Sequence, residues 1–425
     1  MSAKTNNVQL SSVEQSNMRH LVRDIAWFGL AAAATSRFLS VYAIRLGADA
    51  STLSLLTAIP SLFMLLSSTF AGMWISRFKS PKHAMIIPSI GYRMVFLLPA
   101  FAPLVPRQWQ APYLIVAASL PAVVQGLAAT AFVVIMRSAV HDTVIPSLLS
   151  RRSTAMNVSL ALGALIFGYW LEHATFPQNY QIMFLFAFFA AMMSMKSVLH
   201  VDCSPNPCVP SVSNNSTPKQ AQSPWRSPGF RRVATCILIA YIAFFSVNAL
   251  VPLHLVNNLN ASEGFIALYG IVELAASAAI GMITAHISSR IGNRAMIAFA
   301  MIGTAIATSI VAFSPSLPFT LVAAVIGGAS WTTVAMIGIY AYFTENTPPE
   351  YMSAYGAAYH QVLGFSMFVG PLIGSLLAKS GLNLVTVLLI GSALRLLAAP
   401  LMEAQLFGVI RKAGKAVVVR MRPAA

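Results

Sequence analysis

Twelve times along this chain a stretch of about twenty or more mostly apolar residues recurs, the length at which a helix crosses the hydrocarbon core of a bilayer. The stretches are 24–46, 51–76, 84–105, 111–136, 154–173, 179–199, 233–256, 264–288, 295–314, 318–343, 353–378 and 382–407. Lipid offers no partner to backbone N–H and C=O groups, so each stretch is expected to close its own hydrogen bonds as an α-helix. Composition agrees: 57% of the 425 residues are hydrophobic and 9% charged, against roughly a quarter charged in a soluble domain. The one long polar connection, "VDCSPNPCVPSVSNNSTPKQAQSPWRSPGF" (201–230), is rich in Pro and Ser and reads as a linker. The expected fold is an all-α membrane protein of twelve transmembrane helices in two six-helix bundles. Its segments are an N-terminal piece (1–23), a first bundle (24–200), the linker, a second bundle (231–407) and a basic tail (408–425).

The formal net charge of +16 would suggest a nucleic-acid partner in a soluble protein. Here 21 of the 27 Lys and Arg fall in segments on the N-terminal side of the membrane, the asymmetry that marks cytoplasmic loops. Both termini and the linker are therefore expected in the cytoplasm, with the chain multi-pass in the cytoplasmic (inner or plasma) membrane. The excess charge is spread over separate loops, so no nucleic-acid partner is expected. Residues 1–23 are polar, and no cleavable signal peptide is read there. Cys203, Cys208 and Cys236 imply neither a disulfide framework nor a metal site. No cofactor is expected.

The halves resemble one another. After the second stretch the chain reads "GMWISRFKSPKHAMI" (72–86), and after the eighth "AHISSRIGNRAMI" (285–297). Each has a small residue, three others, then Ser-Arg, and each runs through basic residues into Ala-Met-Ile. Asn157 follows Pro146 by eleven residues, as His360 follows Pro349. Two such matches at corresponding places point to duplication, a hallmark of transporter folds.

On these features the chain resembles the major facilitator superfamily over nearly its whole length. The family's loop after spans two and eight reads G-x-x-x-D-R-x-G-R-R. "SSRIGNR" (288–294) keeps Arg290, Gly292 and Arg294, and the first copy keeps Gly72 and Arg77. In both copies Ser stands for the family's Asp, at Ser76 and Ser289. The resemblance implies alternating access by two bundles rocking about a central site. The Gly-Pro motif common in span five of the family's exporters is absent there; Gly370-Pro371 lies in span eleven instead.

Ionisable residues deep in a membrane are costly and mark function. Of eleven acids, Glu273 alone lies mid-span, roughly 15 Å from the outer end of its helix. Arg37 lies roughly 20 Å from the cytoplasmic end of the first span, so the two depths nearly coincide, and an ion pair made in one state and broken in another is expected. Gln125, Asn157, Asn248, His360 and Gln361 are candidate hydrogen-bonding groups for a solute, and Trp331 a candidate cavity wall. Arg93 and Arg395, on spans that the resemblance implies are peripheral, are expected to serve helix packing or to snorkel. His254 and His286 are expected near interfacial water.

The function these features support is secondary transport of a small organic solute, with Glu273 as proton carrier and Arg37 favouring an anionic or zwitterionic solute. A monomer is expected. The alternatives are a non-transporting sensor on a transporter scaffold and a lipid-modifying membrane enzyme. The sensor would carry an added soluble domain, and the chain contains no H-E-x-x-H, G-x-S-x-G or P-loop motif for enzymatic chemistry.

Overall fold

The computed structural model describes residues 12–78, 80–140, 145–202, 223–348 and 352–402. Most of the linker, with Cys203 and Cys208, and the basic tail lie outside the described residues. Every regular element among the described residues is helical. Nine of these helices are long and apolar enough to cross a membrane, and a tenth span is a pair, 82–96 with 98–104, bent by 43°. Pro99 opens the second member of that pair, where its missing N–H and fixed φ break the ladder.

The two remaining expected spans are helical but interrupted. The first runs as α1 (Ser12–Ala33), a π-helical turn (Ala34–Phe38) and α2 (Leu39–Arg45). The tenth runs as α12 (Leu317–Thr332), a π-helical turn (Thr333–Gly338) and α13 (Ile339–Glu345). A π turn widens the helix by one residue and re-aims the side chains around it, and such turns gather at functional sites.

The other helices are α3 (Ala50–Ile75), α4 (Pro81–Arg93), α5 (Gln110–Ala139), α6 (Ile145–His173), α7 (Gln178–Leu199), α8 (Pro228–Asn248), α9 (Leu250–Asn257), α10 (Glu263–Ile291), α11 (Asn293–Phe313), α14 (Met352–Lys379) and α15 (Leu384–Met402). They form two compact units. Unit 1 comprises Met1–Leu39 and Phe63–Lys219; unit 2 comprises Ser40–Leu62 and Gln220–Ala425. The chain leaves unit 1 after Leu39, one residue past the first π turn, and returns to it at Phe63, three residues past Pro60 in α3.

In unit 1, α1 packs on α6 and α7, and α4 on α5, around Leu21, Met85, Ile135 and Leu148, all closed to solvent. A buried polar chain crosses this apolar packing. Arg152 pairs with Asp24 at 3.1 Å and also donates to the Leu21 carbonyl. Ser194 donates to the other Asp24 oxygen at 2.6 Å. Arg93 donates to Ser194 (2.9 Å), to the Ala191 carbonyl (2.8 Å) and to the Ser89 hydroxyl (2.6 Å). One carboxylate thus serves two guanidinium groups, one directly and one through a hydroxyl, tying together α1, α4, α6 and α7.

In unit 2, α8 packs on α14, α11 on α15, and α10 on α12. Its arginine staple uses carbonyls instead of an acid. Arg395 of α15 donates to the Ala243 (3.2 Å), Phe244 (2.7 Å) and Thr304 (3.1 Å) carbonyls and to the Thr308 hydroxyl, with its guanidinium 4.7 Å from the Phe244 ring centre. Segment 40–62 is fastened to this unit by Arg45, whose Nε and Nη2 meet the two Glu263 oxygens at 2.9 and 3.2 Å, and by Ser375 donating to Ser51 at 3.1 Å. His254 departs from the expected interfacial setting. It is 3% exposed, because α9 turns inward to pack on α11 and α15.

Candidate solute and coupling residues

Glu273 owes its position to a close crossing of α10 and α12. Gly328 lies so near that a Cβ built on it would stand 2.2 Å from the Glu273 carbonyl oxygen and 2.9 Å from its Cγ. No other residue type fits without parting the helices. Ser277, one turn on, donates to the carbonyls of both Glu273 (2.8 Å) and Gly328 (3.0 Å), sealing the crossing. The Glu273 side chain is half-buried.

Three residues past Gly328, Trp331 stacks on Phe244 of α8, with ring centres 3.5 Å apart and planes within 9°. Tyr241 and Phe245 meet the same indole edge-on at 5.1 and 5.7 Å. Phe244 is thus held between Trp331 and the Arg395 guanidinium, a cation–π contact on one face and an aromatic stack on the other. Trp331 anchors α12 to α8 as well as being a candidate wall.

Arg37 lies inside the first π turn and is half-buried. Among the remaining candidates Gln125 is half-buried, and Asn157, Asn248, His360 and Gln361 are exposed. Arg37, Gln125 and Asn157 belong to unit 1; Asn248, Glu273, Trp331, His360 and Gln361 belong to unit 2. Within unit 2 the structure brings Glu273 and Trp331 onto one helix pair, with His360 and Gln361 on α14 beside α8. Sequence reading missed Gly328, Ser277 and the π turns.

The repeated loop behaves differently in its two copies. In the first, Gly72, Ser76 and Arg77 are exposed, and the Ser76 hydroxyl returns to its own helix at the Met73 carbonyl. In the second, Gly292 adopts φ +82°, the left-handed conformation that glycine takes without strain, and so reverses the chain from α10 into α11. Asn293 then accepts from Ser288 (2.5 Å) and donates to Glu345 (2.6 Å) at the end of α13. The acid missing from the loop itself is reached through an amide. Arg294 donates to the Met402 carbonyl (2.6 Å) and lies 5.9 Å from the Tyr342 ring centre; Arg290 is exposed, and the Ser289 side chain lies outside the described residues.

Apolar helices in two units, several long enough to cross a bilayer, define a multi-pass membrane protein. The profile of the Major Facilitator Superfamily matches residues 24–232 and 233–413, and the chain belongs to that family. No curated protein matches it. Solved structures share its fold at low identity. A D-xylose–proton symporter is 14% identical with a TM-score of 0.70, over 92% of this chain and 98% of that one. The nucleoside transporter NupG is 10% identical with a TM-score of 0.66, over 93% and 99%. An auto-inhibited peptide transporter of the POT family is 11% identical with a TM-score of 0.70, over 96% and 98%.

Proposed function

We propose that this chain is a secondary active transporter of a small organic solute, working by alternating access and coupled to protons through Glu273. The observation that carries the reading is Glu273 itself, a carboxyl group held mid-helix at the α10–α12 crossing. A carboxyl group can bind and release one proton, which is the chemistry a proton carrier needs. The structural relatives include a proton symporter for a sugar, a nucleoside transporter and a peptide transporter, so small polar solutes are the class to test. Arg37, in a helical turn of altered phase, favours a carboxylate- or phosphate-bearing or zwitterionic member of that class. The π turn that holds it, and Pro60, lie where the chain passes between units, which suits them to bending during the cycle. Lys and Arg asymmetry supports cytoplasmic termini in the inner or plasma membrane, and a monomer suffices for this mechanism.

The test is uptake into proteoliposomes holding the purified full chain, with radiolabelled sugars, nucleosides, dipeptides and organic anions, with and without an inward proton gradient. Gradient-dependent accumulation of an anionic or zwitterionic solute is expected. Failure of every solute to move would support the sensor reading.

A further inference from the structure

Trp331 and Tyr340 are nine residues apart in the tenth span. In an unbroken α-helix that is about two and a half turns, which would set the two rings on opposite faces. The π turn between them, Thr333–Gly338, takes up one extra residue, so the rings are expected only about 80° apart. Their contacts agree. Trp331 meets Tyr241 of α8 edge-on at 5.1 Å, and Tyr340 meets Tyr359 of α14 edge-on at 6.3 Å. The Tyr241 and Tyr359 phenols lie within electrostatic reach of each other, as do those of Tyr359 and Tyr340. Four aromatic side chains from three parts of unit 2 therefore form one continuous ledge.

The ledge has an open, polar edge. Tyr340 is 54% exposed. Beside Tyr359, with ring centres 5.4 Å apart, lies His360, and both His360 and Gln361 are exposed. These two fall inside the membrane-length helix Ala358–Lys379, and His360 is about 12 Å along α14 from its start. An ionisable side chain exposed within a span faces a water-filled cavity in preference to lipid. The edge thus offers imidazole, amide and phenol groups as donors and acceptors, next to rings that present faces and edges to another ring. A rigid, flat solute makes those contacts at little entropic cost, whereas a flexible chain on the same surface gives up conformational freedom.

We propose that Trp331, Tyr340 and Tyr359, with His360 at their edge, hold a planar ring of the transported solute. The protein then selects aromatic or heteroaromatic solutes with hydrogen-bonding substituents over saturated or acyclic ones. This deepens the transport reading and rests on it.

Binding and movement, measured separately on the full chain, test the two claims apart. Equilibrium dialysis in detergent compares radiolabelled 4-hydroxybenzoate with 4-hydroxycyclohexanecarboxylate, and uridine with ribose. The planar member of at least one pair should bind about tenfold more tightly, the factor that one or two ring contacts supply. Y340A, which alters an exposed ring, should weaken that planar probe about three- to tenfold and leave its partner unchanged; Y340F should keep the preference. Equal binding within both pairs, binding of none of the probes, or unchanged binding in Y340A overturns the proposal. So does an equal loss for both members of a pair, since Tyr340 would then serve the helix alone. A planar probe that binds in this pattern but is not moved in proteoliposomes supports the ledge and sinks the transport reading. Accumulation of an acyclic solute, with no preference for planar probes, does the reverse.

Discussion

Gly328 and Glu273 touch backbone to backbone, closely enough that a single added methyl on Gly328 would overlap the Glu273 carbonyl. Glu273, an acid in mid-helix, is therefore mounted where α10 and α12 approach closely, and its position depends on that crossing. Gly328→Ala should force α10 from α12 and lower stability by about 1–3 kcal/mol, the usual cost of overpacking. Thermal unfolding in detergent measures this. Ser277→Ala, which removes one bridging hydroxyl, should cost about 1 kcal/mol.

The buried pair in unit 1 is the larger structural commitment. Asp24 and Arg152 side chains are 6% and 10% exposed, so removing one partner strands a charge away from water. Asp24→Asn should destabilise by about 3–5 kcal/mol, because Arg152 loses its counter-ion and Arg93 loses the carboxylate behind Ser194. Ser194→Ala should cost less, since the charge pair survives. The ordering of melting temperatures among the three proteins checks the assignment.

Arg45 and Glu263 form a two-pronged but partly exposed pair, with side chains 39% and 13% exposed. Solvent screening limits such a pair to about 0.2–1 kcal/mol of stability. Arg45→Gln should therefore scarcely change the melting temperature, while loosening segment 40–62 from the rest of unit 2. A double-mutant cycle with Glu263→Gln should give a coupling energy within that range. The charge-swapped protein, R45E/E263R, should regain most of it.

At the start of α1, outside the apolar stretch, the His20 and His200 rings stack 5.6 Å apart with planes 19° from parallel. Burial, then His200, Arg23 and Arg19, lowers the His20 pKa below its ordinary 6.5, and Asp202 opposes them. A histidine lowered in the folded state is protonated more readily when unfolded, so its effect on stability is absent well above pH 6.5. Stability then falls as pH drops through 6.5 and towards the folded value. His20→Gln should flatten the decline in melting temperature between about pH 7 and pH 5.

Much of this architecture is legible in the sequence because run length alone identifies a membrane helix. Bends and wide turns are less so. Pro99 announces the kink at Leu97, but the π turns at 34–38 and 333–338 follow no composition, since an inserted residue changes phase without changing hydropathy. Glu273 stands out as one acid among apolar neighbours. Gly328 does not, because glycines are scattered through most spans and only the fold reveals which one meets a partner backbone. Asp24 is inconspicuous for a similar reason: it lies at the end of an apolar run, and its partners are 128 and 170 residues away. Arg45 and Glu263, 218 residues apart, are equally unpaired to a reader of the chain.

The most direct measurement is proton-driven accumulation by Glu273→Gln in proteoliposomes, compared with solute exchange at zero gradient. A neutral isostere preserves shape and hydrogen bonding but cannot load and release a proton. The variant should therefore exchange solute at a rate close to that of the unmodified protein while failing to concentrate it when a proton gradient is imposed. Undiminished accumulation by Glu273→Gln would contradict the account and remove the carboxyl group from the coupling mechanism.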